Sequence, residues 1–572
     1  LNTELVAIKY FVTLKTKEMK KQINLVLPRN IKSVLLTLSL LVSLFFSACK
    51  RDIINNPEQQ VKINTSPLSS SSTSRLGLSY QEGDVVIGEQ LKNPYTLQNM
   101  TTAYDSLIKK GVTSTYPVNI RETYYYIKFK PKTWDEYDDL KEDTTLELSD
   151  IPYDYEIIQN GNYYHDPLIP DSLPTYQYAT VPAGFRFNDT IEHEILSPLY
   201  VPEVDQSLLG SNEGNELFVD HLLNEAYILT QNYEDTIDLN PTQRRPKYTP
   251  GGNIQIFDTR LNTNYGMEGI KVTARRWFIV YPAHADFSGN YRMNHQFRRP
   301  CNYSAWFEHK RFFVKKGGVH WINGPNQTGD WNHTISDGYD RFVGHIFRAG
   351  YRYHYKDIGG LQRPFRWLGR KTAYIAKDAE GTGSNPIFIN NIRIWRFRDK
   401  ATEYGSDDIF STTSHETGHT SHAIRMNTVF QFWQVGRQLQ ESWAVCIEWY
   451  LTHLEYASRG IANYGEWNYV PATRPFFPND QAYQYWNKAD YSGWYTTMYI
   501  DIIDDHNEIG NTYLGWGLGV IDDRVSGYSL PFIESELLKH IYGLASLKEK
   551  LKENKPMGVT DEQIDLLIGF YY

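Results

Sequence analysis

The segment Asp408–Ala423 reads DIFSTTSHETGHTSHA, with three histidines, one glutamate and one glycine among serines and threonines. On a helix, residues four apart share a face. His415 and His419 therefore point the same way, about 6 Å apart along the axis. Two imidazoles at that spacing can grip one zinc ion from one side. Glu416 is turned about 100° around the helix, beside such a metal rather than on it. A general base for metal-activated water belongs there. Gly418 costs about 1 kcal/mol relative to alanine inside a helix, so its presence predicts a close approach by another backbone. His422 falls on the same face one turn further on, too far along the axis to join the pair. It is expected to take a supporting or surface role.

Zinc needs a third protein ligand, and the three cysteines (Cys49, Cys301, Cys446) form no cysteine-type metal site. The next helical stretch, RQLQESWAVCIEWYLTHLEY, carries an apolar stripe of Leu439, Trp443, Cys446, Ile447, Tyr450 and Leu454. Glu441 lies opposite that stripe beside Ala444 and Val445, whose small size lets the first helix come close. It is the candidate third ligand, with Glu448 as its supporting partner. The competing interpretation is that Glu441, Glu448 and Glu455, spaced by seven, form a solvated stripe. Tyr491, Tyr495, Tyr499 and His506 follow downstream as candidate donors to a developing oxyanion, with no local signal to choose among them.

H-E-x-x-H followed after 22 residues by ESWA resembles the gluzincin metallopeptidases, and ESWAVCIEW is similar to their E-x-x-A helix. The resemblance covers about 50 residues. It implies a catalytic Glu416, zinc ligands His415, His419 and Glu441, and hydrolysis of peptide bonds. Gluzincins with N-E-x-x-S-D have an aspartate where this chain has Val445, and no G-x-M-E-N-type substrate motif precedes the histidines. Arg425 stands where a metzincin carries its third histidine.

The elements that must position this chemistry sit in a chain of 572 residues, enough for several domains at ~100–200 residues each. Its 43 tyrosines favour β-structure. The expected fold class is multidomain: a β-rich or α+β N-terminal module at 83–245, a small antiparallel β-sandwich at 250–320, and a mainly helical α+β zincin-like domain at 325–572. Within the second, GIKVTARRW…ADFSGNYRM resembles the carboxypeptidase regulatory-like β-sandwich through Asp286, Gly289 and Tyr291, with Ala285 in place of threonine. That resemblance implies a spacer or binding module. His284, His295 and His309 are read as packing or surface residues. Further expectations are a strand at Ile387–Phe397, a single long helix from about Phe430 to Tyr456, and one final helix over PFIESELLKHIYGLASLKEKLKE.

The N-terminal segment reads as an address. From Met19 a basic stretch (Lys20, Lys21, Arg29, Lys32) precedes an uncharged apolar run from Val34 to Phe46. This is signal-peptide grammar, and the run is shorter than the ~20 residues of a membrane span. Residues 1–48 are therefore assigned as a signal peptide whose start is Met19; the alternative is an uncleaved anchor. FSAC resembles a bacterial lipobox, which implies a lipid on Cys49, with Phe46 where leucine is usual. Residues 49–82 are polar and serine-rich, as in a flexible tether. The expected location is the bacterial cell envelope, at the outer membrane or cell surface rather than the inner membrane. The net charge of −9 becomes −14 without residues 1–48. An acidic body without a basic patch excludes nucleic acid as a natural partner. The expected partners are a protein or peptide substrate and, through the lipid, a membrane. The rival class is an envelope surface-binding protein whose zincin-like domain is inactive or a scaffold.

Overall fold

In a computed structural model, the residues described are 84–572 except 188–189, 210–214, 233–244, 337, 365–370, 382, 385–390, 427–428, 462–494, 506 and 508–521. The signal segment, Cys49 and the tether lie outside them, as do Tyr491 and His506. The architecture is multi-sheet α+β, with several antiparallel sheets followed by a helical C-terminal region. The described residues form one compact unit. No described helix is long and apolar enough to cross a membrane.

The N-terminal part alternates as its sequence suggests. Thr96 accepts the N–H of Asn99 and starts α1 (Leu97–Lys109), whose Met100, Ala103 and Leu107 are buried. Strand β2 (Tyr124–Phe129) is central between β4 (Gln177–Pro182) and β5 (His193–Leu199), both antiparallel to it. Helix α2 (Trp134–Glu142) follows β2, and α3 (Glu216–Leu229) packs against α1. Asn160–Gly161, a dipeptide that favours tight hairpin turns, makes no local hairpin here. Strand β3 (Tyr155–Gln159) pairs instead with the distant β1 (Val86–Gln90).

Two four-stranded sheets follow. One contains β6 (Gly251–Asp258), β7 (Thr263–Gly266), β10 (Asn290–Arg292) and β14 (Trp331–Ile335); the other contains β8 (Lys271–Arg276), β9 (Ile279–His284), β11 (Cys301–Trp306) and β13 (Trp321–Gln327). Asp286 and Gly289 build the turn between β9 and β10. The Asp286 carboxylate accepts the N–H groups of Ser288 and Asn290, and Gly289 takes φ +85°, where a side chain is disfavoured. A third four-stranded sheet runs β12 (Phe312–Lys315), β15 (Thr372–Glu380), β17 (Asn391–Phe397), β16 (Gly383–Ser384). Its first three strands are parallel, and β16 is an antiparallel edge. Pairing crosses the division at 320–325: β12 joins β15, and β14 lies parallel to β6. One apolar core accordingly runs from Ile254 and Val272 through Phe342 and Phe347 to Ile394 and Ile409.

Helix α4 (Gly338–Tyr355) backs this third sheet, and α5 (Ser406–Arg425) and α6 (Arg437–Ala457) pack on each other. Helix α6 is shorter at its start than expected. A separate short helix, Val429–Gln434, precedes it, and Gly436 is its N-cap. The terminal segment is also broken. Gly543 is the N-cap of α7 (Leu544–Glu553), with the Ser546 hydroxyl accepting its N–H, and a further helix, α8 (Asp561–Tyr571), closes the chain. The strand expected at Ile387–Phe397 is described from Asn391 onward.

Candidate metal centre

Helix α5 begins where the acids predict. The Asp408 carboxylate accepts the N–H of Gly405, and Asp407 shares the first turn, at the positive end of the helix dipole. Threonines and serines fill the buried faces because most of their hydroxyls return to the helix backbone. Thr413 donates to the Ile409 carbonyl, Ser414 to Phe410 and Thr417 to Thr413. A polar helix is thus buried without orphaned hydroxyls. Gly418 meets the second helix as anticipated. A Cβ there would lie 3.1 Å from the Ile447 Cβ and 3.4 Å from the Ala444 Cα. The Trp443 indole N–H donates to the Ser421 hydroxyl at 3.0 Å and locks the two helices together.

This contact brings His415, His419 and Glu441 into one group, with a ligand atom from each lying within 4.8 Å of the others. His415 Nε2 and His419 Nε2 are each 3.3 Å from Glu441 Oε2. Charge-assisted N–H···O bonds are shorter, about 2.7–2.9 Å. By contrast, ligands bound at ~2.0–2.1 Å around a tetrahedral ion sit about 3.3 Å apart. On its other side His415 Nδ1 meets Glu448 Oε2 at 3.0 Å. A proton on Nδ1 serving that bond is the usual arrangement behind a metal-binding histidine, and it would leave Nε2 to take an ion. The group could hold a metal ion, and the donor set fits one.

The electrostatics point the same way. Burial works to lower the His415 pKa, but the hydrogen bonds to Glu441 and Glu448 outweigh it and push it up to about 10. Burial works to raise the Glu441 pKa, and the adjacent His419 and His415 hold it well below the ordinary carboxylate range. These carboxylates demand positive charge in a buried place. Arg437, one turn before Glu441, approaches Glu441 Oε1 at 3.6 Å from a partly exposed position.

Glu416 is buried, and burial raises its pKa from the ordinary glutamate value. The edge strand passes directly over it: a Cβ on Gly383 would overlap the Glu416 carboxylate. Residue 383 must therefore lack a side chain, a requirement the local sequence does not announce. Among the downstream aromatic candidates, Tyr495 lies at the site, its ring 5.8 Å from that of His415. Its neighbour Thr496 hydrogen-bonds Ser442 of α6 at 2.6 Å. Tyr499 is buried away from solvent against Trp443.

One expectation needs correction, and one competing interpretation falls. His422 has no surface role. It is fully buried, its ring stands edge-on to Phe432, and neither ring nitrogen has a hydrogen-bond partner; burial pushes its pKa down to about 3. The solvated stripe is also excluded, since Glu441, Glu448 and Glu455 are 7 %, 5 % and 2 % exposed. Comparison with protein-family models, curated proteins and solved structures finds no match.

Proposed function

We propose that the chain is a zinc metallopeptidase of the gluzincin kind, lipid-anchored at Cys49 in a bacterial envelope and acting on extracytoplasmic proteins or peptides. One observation carries this reading: two imidazoles and a carboxylate from adjacent helices converge at metal-ligand spacing, with a second, raised-pKa carboxylate beside them. His415, His419 and Glu441 would hold the ion, with Glu448 orienting His415. A zinc ion held there would supply Lewis acidity toward a peptide carbonyl and a water molecule. Glu416 accepts the proton of the attacking water on its carboxylate and returns it to the departing amide nitrogen. Tyr495, whose ring lies 5.8 Å from that of His415, is the candidate donor to the developing oxyanion. The anchor rests on the signal grammar and the lipobox-like FSAC.

The test is metal analysis of the purified chain beside cleavage of a peptide library. Wild type is expected to bind one zinc ion and His419→Ala none. Glu416→Gln is expected to keep the metal while cleavage falls by roughly 10²–10⁴-fold. Zinc bound without cleavage of any library member would favour the binding-protein reading, and a chain that binds no zinc would end the proposal.

A further inference from the structure

A cavity of about 230 Å³ lies between one face of the sheet β9–β8–β11–β13 and the segment 147–160. Alternation sends Val272, Ala274, Tyr303 and Ala305 into the apolar core on the other face. The residues between them line the cavity. At one end Trp306 and Trp321 are buried against Ile151 and close it. At the other end the register sets Arg275 between Val280 of β9 and Asn302 of β11, with Asn326 of β13 beyond. Positions 271 and 275 on β8 are four residues, about 13 Å, apart, so the two ends are chemically separate.

Two cations line this wall, and their surroundings differ. Lys271 is met by Glu308, and by Glu147 at 3.1 Å. Arg275 forms no ion pair with a described residue. Asp154, the carboxylate that acts on it from further off, is held instead by Gln90 at 2.8 Å and Tyr126 at 3.1 Å. Arg275 Nη1 donates to the Trp277 carbonyl at 3.0 Å, and the guanidinium lies over the Tyr153 ring at 4.9 Å. These contacts fix the plane of the group. They leave Nε and Nη2 without an acceptor among the described residues. Those two atoms form the edge of the guanidinium that matches the two oxygens of a carboxylate. Burial works against the charge and lowers the Arg275 pKa from its ordinary value. Withdrawing a cation from water without a partner is costly, and an anion from outside would offset that cost.

The rest of the lining narrows the anion. Asn302, Ser304 and Asn326 line the cavity, and none of their side chains hydrogen-bonds another described residue. Amide and hydroxyl donors can fill the lone pairs that an arginine leaves on a carboxylate. Only one of the two cations is uncompensated, and Glu147 on the same wall repels a second negative charge. A monoanion therefore fits better than a phosphate. Val280, Ile157 and Pro325, all partly exposed, supply apolar surface beside these polar groups. The volume is below the ~300–1,000 Å³ of sites for drug-sized ligands, so the body of the ligand is short.

We propose that this cavity binds a small aliphatic monocarboxylate, with its carboxylate on Arg275 and Asn302 and its hydrocarbon against Val280 and Ile157. The site is independent of the chemistry at His415. A free short-chain acid and the C-terminal residue of a peptide both present this chemistry.

The experiment strips the purified full chain of metal with a chelator, so that no ion at His415 can take the acid. The chain is then titrated with butyrate and with N-acetylalanine, a mimic of a peptide C-terminus, followed by calorimetry and saturation-transfer NMR. Saturable binding of at least one is expected, and the tighter of the two identifies the source. Arg275→Gln is expected to weaken it about tenfold or more. Asn302→Ala removes a side chain with no internal partner; it is expected to weaken binding about three- to tenfold at an unchanged melting temperature. That variant tests the site even where Arg275→Gln does not fold. Binding of neither acid, equal binding of neutral butyramide, phosphate binding tighter than both acids, or wild-type affinity in either folded variant would each overturn the proposal.

Discussion

Glu441 and Glu455 stand on the same helix, two heptads apart, and both are buried, yet their surroundings differ in kind. Glu455 is met by cations that the protein itself supplies. Arg352 holds Oε2 at 2.6 Å and Arg348 holds Oε1 at 3.3 Å. Arg348 also binds Asp258 at 2.9 Å, and Tyr456 donates to the same carboxylate. His345 accepts from Arg348 at 2.8 Å and gives its other N–H to the Phe257 carbonyl. That end is electrically closed. At the other end Glu441, Glu448 and Glu416 face two histidines and one partly exposed arginine. A buried charge is retained only when compensated. The difference teaches that identical residues at identical spacing specify a structural knot where arginines meet them, and a group that could hold a metal ion where imidazoles do.

The comparison can be broken most forcefully at the closed end. Arg352→Met strands the Glu455 charge and is expected to cost about 3–5 kcal/mol of stability, measured by urea unfolding. The folded variant should still bind zinc stoichiometrically, and loss of metal from it would erase the division between the two ends. At the open end Glu448→Gln should weaken zinc affinity about 10–100-fold by loosening His415, with less effect on unfolding; competition with a chelating dye reads this. The reverse ranking of the two variants would sink the assignment.

A smaller effect separates the ends by pH. Burial opposes ionisation of Glu455, but Arg348 and Arg352 hold its pKa well below the ordinary carboxylate range. A depressed folded-state pKa contributes stability that is fully present above the unfolded value, about 4.3. That stability drains away as pH falls below it towards the folded value. Metal-free wild type should therefore lose stability on acidification below about pH 4 more steeply than metal-free Glu455→Gln; parallel curves would deny the pair its role. The smallest change is Gly418→Ala. Helix propensity gains about 1 kcal/mol, against a Cβ pressed onto Ile447 and Ala444. Melting should shift little, while zinc affinity drops several-fold as the helices separate.

The part of the site legible in the sequence is the part built from helical spacing. His415, Glu416 and His419 follow from a single helix, while Gly418, Ala444 and Val445 announce a close partner that could present Glu441. Gly383 was not legible, because its constraint arises where an edge strand crosses a helix more than thirty residues later in the chain. Tyr495 could not be separated from its neighbours by type alone. The burial of His422 was hidden by its polar neighbour Ser421, whose hydroxyl is met by the Trp443 indole of the adjacent helix rather than by water. For the fold, alternation marked the strands, but not that β12 and β14 would pair across the proposed division. Parallel partners are chosen by the whole core rather than by any turn.

The indole of Trp443 and the arginines around Glu455 fasten α6 at separate points along its length. A helix held in this way cannot roll about its axis without tearing out one of them. The donors at its N-terminal end are therefore set in orientation before any cation arrives. Uptake then orders little, so its favourable free energy is not spent on folding the site around the ion. The expected signature is an exchange limited by access and dehydration of the ion rather than by rearrangement of the chain.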